Sequence, residues 1–520
     1  MSLVDEIYDR IEDTVEIFRY KKNHSEIVNF FTGQAVFITG VTGYLGKCIV
    51  EKLLRDCPDI EQIYMLMRGS EKHSLEDRVH RYFQHVIFSR LKEENPNFQS
   101  KVTVIKGDLF TDNLGLSDED KSIIINNVTV MYHNAANVKF DVRASVSLRS
   151  NVLGTKKMLE LAQQCKKLKV FVYVSTAYSH LYMKDIHEEF YPSPADLQTV
   201  YDAIEADEKT EKGLSETELQ TLIGKYPNIY PYSKAIAEDL VRQYAKNAKF
   251  AHAIFRPAIV ISSYKEPLPG WCGNTNGPVM IFLAATLGII RAFYHHQHPL
   301  DFIPSDFTVN ALLAITRDAQ LQWSEKRQRD LVYNLGSSTV NPITFTMMRS
   351  NFEEVPLLEK SEKAVALAGT TRMTSCLWEF YFWHWTLHFI PALLVDSILL
   401  VSGKKPMVLS IFWKVTRHLD KIDYFGNGNW KIHITKTLKV IDKMSPTDRE
   451  MFYCDMRDYS WQELNWIAWR GLKLYILKED IINEAGRRRY YLLCGIHYAF
   501  RVIWFLVFCY VLFKLSFILF

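Results

Sequence analysis

One segment constrains the fold more than any other: Ala35-Val36-Phe37-Ile38-Thr39-Gly40-Val41-Thr42-Gly43-Tyr44-Leu45-Gly46. A short apolar run ends in spaced glycines, and YLGKCIVEKLLRDC follows with helical periodicity. A buried strand therefore passes through a tight turn into a helix. Gly40 allows the turn, Gly43 lets the backbone approach a pyrophosphate on the helix N-terminus, and Gly46 permits close packing of helix on strand. Thr39, Thr42, Tyr44 and Leu45 complete this candidate cradle for a dinucleotide.

Further apolar runs repeat the pattern: IYMLM, KVTVIKGD, VTVMYHNAA, VFVYVSTAY and AHAIFRPAIVI, with helical segments between them. Strands without a polar face belong to a parallel sheet covered on both sides. The expected class is α/β, a doubly wound Rossmann-type parallel sheet. The second strand runs into Arg68, where a carboxylate would suit a ribose 2′-hydroxyl. An arginine there suits a 2′-phosphate, so the expected cofactor is NADPH. Asp108, with Leu109 beside it, is positioned to meet the adenine edge or to cap the end of its strand.

Tyr230-Pro231-Tyr232-Ser233-Lys234 places a phenol and an ammonium four residues apart, on one face of a helix. A nearby lysine is expected to lower the phenol pKa, readying Tyr230 to protonate a carbonyl oxygen as hydride arrives at carbon. Lys234 also suits the nicotinamide ribose. Ser175 and Thr176 end the fifth strand, where such sheets bind ligands. Thr176, or alternatively Ser175, would bond the substrate carbonyl. Asn134, Ala135 and Ala136 end the fourth strand and leave room for the nicotinamide ribose. Asn151 would order water or backbone near Lys234, or else cap a helix.

These motifs, in this order, resemble the extended short-chain dehydrogenase/reductases. VFITGVTGYLG, GDLFTDNLGLS, YHNAANVKFD, YVSTAY, YSKAIAE, PGWCGNTNGP and the distant DMRDYSWQELNWIAWRGLKLYILKED bring the resemblance, over about 33–480, closest to the eukaryotic fatty acyl-CoA reductases. The resemblance implies reduction of a long-chain acyl-CoA to the alcohol with two NADPH. It implies Tyr230 as proton donor, Lys234 as its activator, Thr176 or Ser175 at the carbonyl, and Gly40, Gly43, Gly46 and Arg68 around the cofactor. Alternatives are a membrane-bound relative acting on another lipid, such as a sterol, or a catalytically weak membrane scaffold. Pro231 departs from the family pattern and disfavours helical angles at Tyr230 unless it lies at a helix start.

The downstream segment also resembles the family's own C-terminal domain. The expected order is a lead-in helix over 1–32, the reductase domain over 33–358, a smaller, mainly helical domain over 359–485, and a membrane anchor over 490–520. Between Val502 and Phe520 only Lys514 is charged among 19 residues, and Arg487, Arg488 and Arg489 stand before it. At ~1.5 Å per residue this nearly spans a bilayer core, with the arginines cytosolic. A single span or a short hairpin both fit. The expected location is a membrane with the catalytic part facing the cytosol, at the endoplasmic reticulum or, alternatively, the peroxisome. Leu377–Val401 is apolar, but Glu379, His384, His388 and Asp396 argue against a span. It suits a membrane-facing entry, a substrate tunnel or a core helix. The net charge of +3, without a basic stripe, argues against a nucleic-acid partner. The eight cysteines form no CxxC pair and no zinc-ligand spacing, so no metal is expected.

Overall fold

The computed structural model describes residues 24–69, 73–273, 277–327, 331–367 and 370–519. Most of the expected lead-in helix, residues 1–23, lies outside them, as do Ser70 and the centre of PGWCGNTNGP. Glu26–Phe31 is helical, capped by the Ser25 hydroxyl. The described chain divides into two compact units. One comprises residues up to 268, 301–342 and 429–458; the other comprises 269–300, 343–428 and 459–520. A single boundary near 358 is what the sequence suggests. In space the chain passes repeatedly between the units.

The first unit is built on seven strands: β1 (Ala35–Thr39), β2 (Gln62–Met67), β3 (Val102–Lys106), β4 (Val130–His133), β5 (Val170–Val174), β6 (Ala251–Pro257) and β7 (Leu331–Leu335). All are parallel, in the order β7-β6-β5-β4-β1-β2-β3. Winding reverses between β1 and β4, and a crevice opens at such a switch point. Every residue of β1 and β5 is buried, which explains their unbroken apolar character. Two features of the sheet are not evident from the sequence. AHAIFRPAIVI is split, because Ile259–Ile261 leaves β6 and pairs with Phe302–Pro304. β7 adds an edge beyond β6.

Four helices matter most: α1 (Tyr44–Asp56), α2 (Gly154–Gln164), α3 (Ile229–Ala245) and α4 (Ser305–Ser324). Side chains alternate across a strand. Met131 joins a core with Met158 and Leu159 of α2 and Leu240 of α3. Tyr132, on the other face, donates to the Thr316 hydroxyl of α4 at 2.8 Å. The sheet is thus covered on both sides.

α1 buries a charged cluster. Arg55 meets Glu51 at 2.7 Å, Asp56 at 2.8 Å and Glu266 at 2.9 Å, while Lys52 meets Asp56 at 2.8 Å and also Glu266. Asn310 of α4 and the Met451 carbonyl complete the network. Periodicity alone assigns these residues to water. Each has an opposite charge within bonding distance, which offsets much of the cost of burying it.

The second unit is mainly helical, with α5 (Leu377–Val401, including a π-helical turn at Trp385–Phe389), α6 (Val408–Asn427), α7 (Trp461–Gly471) and α8 (Glu484–Leu519). The glycine in AWRGLK is there for backbone contact. A Cβ on Gly471 would lie 1.9 Å from the Gly270 carbonyl oxygen. Glu359 gathers the face of α7, accepting from Arg470 at 2.6 Å and from the Trp466 indole at 3.0 Å.

Replacing Arg55 with methionine leaves Glu51 without its counter-charge and leaves Asp56 and Glu266 with Lys52 alone. We expect Arg55→Met to destabilise the chain by about 3–5 kcal/mol. Urea unfolding in detergent checks this; an unchanged midpoint would mean the network contributes no stability.

Candidate active site

The glycine turn has the geometry that its spacing implies. Gly40 has φ +73°, and a Cβ on it would lie 2.8 Å from the Ala135 backbone. A Cβ on Gly46 would lie 2.2 Å from the Gly40 carbonyl oxygen. Gly43 is the N-cap of α1 and brings no side-chain cap. The positive end of α1 is therefore offered to an anion at the switch point of the sheet. Tyr44 is fixed through its hydroxyl to the Ile261 carbonyl at 2.8 Å, and Lys47 donates to the Thr42 carbonyl at 2.9 Å.

Behind this turn runs a chain of buried hydrogen bonds centred on His133. The Ala135 N–H donates to the Thr39 hydroxyl at 3.1 Å. Thr39 Oγ1 lies 2.9 Å from His133 Nδ1, and His133 Nε2 lies 2.9 Å from Thr155 Oγ1. Thr155 donates onward to the Asn151 carbonyl at 2.6 Å. Thr155 has one proton, already given to Asn151, so His133 donates through Nε2 and accepts from Thr39 through Nδ1. Burial and the Lys234 charge push the His133 pKa down to about 3, which keeps this neutral tautomer.

Asn151 continues the connection. It lies within the π-helical turn Leu148–Leu153 that runs into α2, and caps no helix. Its side chain accepts from the Asn137 N–H at 2.7 Å and donates to the Ser233 hydroxyl at 2.9 Å. Ser233 in turn donates to the Tyr230 carbonyl at 2.8 Å. Asn151 thus ties the loop after β4 to the first turn of α3.

That turn carries Tyr230. Asn228 caps α3 and accepts from the Tyr230 N–H at 3.0 Å. Pro231 is the third helical residue, in the turn whose N–H groups lack helical partners, so its missing N–H removes no helix bond. The Thr176 hydroxyl neighbours the Tyr230 phenol and favours its ionised form. Burial nevertheless pushes the phenol pKa up to about 12, against the effect of Thr176. This reverses the expected lowering by Lys234. The Lys234 ammonium donates to the Val174 carbonyl at 2.7 Å and lies 4.6 Å from the centre of the Tyr173 ring. Burial takes its pKa down to about 7, partly offset by the Glu238 charge.

Ser175 faces elsewhere. Its hydroxyl, with that of Ser179, donates to Glu238, which also meets Arg256 at 2.6 Å and His180 at 3.0 Å. Burial alone would raise the Glu238 carboxyl; the Arg256 and His180 partners hold it well below the usual carboxylate range. Of the two hydroxyl candidates, the structure brings Thr176 to Tyr230 and commits Ser175 to this cluster.

At the far end of the crevice, Arg68 and Gly69 are exposed beyond β2, and Arg78 donates to the Arg68 carbonyl. Asp108 caps its own turn, accepting from the Phe110 N–H at 3.1 Å. Leu109 packs on Gly154, where a Cβ would lie 3.1 Å from the leucine Cβ. Asn134 donates to the Gly40 carbonyl at 3.4 Å. Ala135 and Ala136 are partly open.

A family model described as "Male sterility protein" matches residues 38–312, and a second of the same description matches 387–479. "Fatty acyl-CoA reductase 1" of Rattus norvegicus is 33% identical over 92% of this chain and 91% of its own length. "Fatty acyl-CoA reductase wat" of Drosophila melanogaster is 32% identical over 94% and 93%. The chain belongs to the fatty acyl-CoA reductase family. Among solved structures, the terminal R domain of the myxalamid pathway shares the fold, with TM-score 0.56 and 18% identity, over 86% of this chain and 93% of that one.

This reductase is an oxidoreductase that uses a nicotinamide cofactor. The glycine cradle, the uncapped helix end and the small residues after β4 suit that group. His133, Ser233, Glu238 and Arg78 escaped the sequence reading. Ser233 lay inside the Tyr-xxx-Lys motif and could have been found from its spacing to Tyr230. A histidine closing an apolar strand carried no such signal. Gly46→Ala would overpack the crossing of β1 and α1, costing about 1–3 kcal/mol. We expect at least tenfold weaker cofactor binding, measured by calorimetry; unchanged affinity would place the dinucleotide elsewhere.

Proposed function

We propose that this reductase converts a long-chain fatty acyl-CoA to the fatty alcohol and free CoA, with NADPH as reductant. The observation that carries the reading is the placing of Thr176, at the end of β5, next to Tyr230, one helical turn before Lys234 on α3, in a chain of this family. Gly40, Gly43, Gly46 and the end of α1 would hold the pyrophosphate, Arg68 and Arg78 the 2′-phosphate, Asp108 and Leu109 the adenine, and Lys234 the nicotinamide ribose. Bound there, the reduced nicotinamide supplies hydride.

The residues of the chain manage the proton. Thr176 bonds the acyl oxygen and orients it toward the phenol. Tyr230 protonates that oxygen as its carbon is reduced, giving a thiohemiacetal. Collapse of the thiohemiacetal breaks the carbon–sulfur bond and passes the hydroxyl proton to the departing sulfur. Once Tyr230 is reprotonated from solvent and a second reduced cofactor is bound, the aldehyde carbon takes a second hydride and its oxygen a second proton from Tyr230, which gives the alcohol. A phenol with a pKa of about 12 is fully protonated at neutral pH, as a donor must be. Pro231 lies where a helix tolerates it, which removes the reason to read the chain as an inactive scaffold.

The C-terminal helix α8 runs from Glu484 to Leu519, long enough to cross a bilayer with Arg487, Arg488 and Arg489 at its entry. We assign it as the membrane anchor, with the catalytic part cytosolic at the endoplasmic reticulum or the peroxisome.

Purified chain in detergent should consume two NADPH for each fatty alcohol formed from a C16 or C18 acyl-CoA. Turnover without a fatty alcohol or aldehyde would overturn the substrate. Arg68→Ala should raise the KM for NADPH roughly tenfold or more and leave that for NADH nearly unchanged. Equal effects on both would remove Arg68 from the 2′-phosphate.

A further inference from the structure

Within the second unit, α5 and α6 form a hairpin with two unlike faces. The expectation of a core helix at Leu377–Val401 does not hold, because only 17% of its most apolar stretch is buried. Trp378 is 85% exposed and Val401 91% exposed, with Phe382, Leu394 and Ile398 also open on α5 and Trp413 open on α6. The polar residues of α5 turn the other way. Glu379 accepts from the Thr374 hydroxyl at 2.7 Å. His384 meets the Thr416 hydroxyl at 3.2 Å, and His388 accepts from the Arg291 N–H at 2.8 Å. Asp396 accepts from the N–H groups of Met407, Val408 and Leu409, each at 2.9 Å, and so caps α6 from outside.

The 25 residues of α5 are long enough to cross a bilayer, but these bonds forbid it. They tie the helix along its length to polar backbone of its own unit, at Arg291, Thr374 and the start of α6. A crossing would drag that backbone into hydrocarbon, where lost hydrogen bonds cannot be replaced. The open face must meet apolar matter from the side. Exposed cations accompany this face: Lys404 and Lys405 lie on the joining turn, and Lys414 and Arg417 follow along α6. An apolar, tryptophan-bearing face beside clustered cations is the composition of a helix lying in a membrane interface rich in anionic headgroups.

We propose that the α5–α6 hairpin lies flat in the surface of an anionic bilayer, as a membrane contact separate from the C-terminal anchor. The hairpin embeds its tryptophans and leucines at the level of the headgroups and sets its lysines against phosphate. The proposal does not require α8 to insert.

The test uses the full chain in vesicles of phosphatidylcholine and phosphatidylserine. An environment-sensitive fluorophore is placed at Val401→Cys, with Cys376 and Cys509 changed to serine. A second preparation carries the label on native Cys509, with Cys376 changed to serine, and reports the anchor. We expect blue-shifted emission at 401, quenched more by lipids with a nitroxide near the headgroup than by lipids with one deep in the chain. The Lys404→Glu/Lys405→Glu variant should cut that quenching severalfold on anionic vesicles and leave it unchanged on neutral ones. A water-like, unquenched label at 401, with Cys509 quenched, would overturn the proposal while sparing the anchor. Access to the 401 label only from the opposite side of the membrane would overturn it in favour of a span. Protection that follows protein concentration instead of lipid would overturn it in favour of a second copy.

Discussion

His133 holds the centre of the nucleotide-binding unit together. Its neutral ring accepts a hydrogen bond from Thr39 on β1 and donates one to Thr155 at the start of α2. Thr39 fixes the loop at Ala135, and Asn151 passes the constraint to Ser233 and so to the first turn of α3. The glycine turn and Tyr230 are far apart in sequence, yet each is held through this buried line. A charged imidazole would have one proton too many for its partners. Burial excludes that state, and the geometry follows from it.

The same burial shapes the chemistry. Interior position raises the Tyr230 phenol and lowers the Lys234 ammonium, so the two approach neutrality from opposite sides. Glu238 is the nearby charge that resists this on Lys234, and it can do so because Arg256 keeps it ionised. The site therefore rests on a second layer of charge beneath Tyr230 and Lys234.

Much of this was legible in the sequence where function depends on short spacing. Gly40, Gly43 and Gly46 could be read because each answers a local steric demand. Tyr230 and Lys234 could be read because a helix brings such a pair to one face. β7 and the interleaving of the two units were not legible, because β6 and β7 meet only through long-range pairing. The charged residues of α1 pattern as a wet surface, and only the arrival of Glu266 and α4 makes them interior. Ser175 and Thr176 look equivalent in the sequence. Glu238, one turn after Lys234, separates them. The phenol pKa moved opposite to the expectation because spacing reports a neighbour and not the depth at which it is buried.

Tyr230 is the proposed proton donor, with Thr176 beside it. The direct measurement is cofactor oxidation and alcohol formation by Tyr230→Phe, with cofactor affinity measured on the same preparation. Loss of about 10²–10⁴-fold in turnover with cofactor affinity retained is the predicted result. Turnover near that of the unmodified chain, with fatty alcohol still formed, would contradict it.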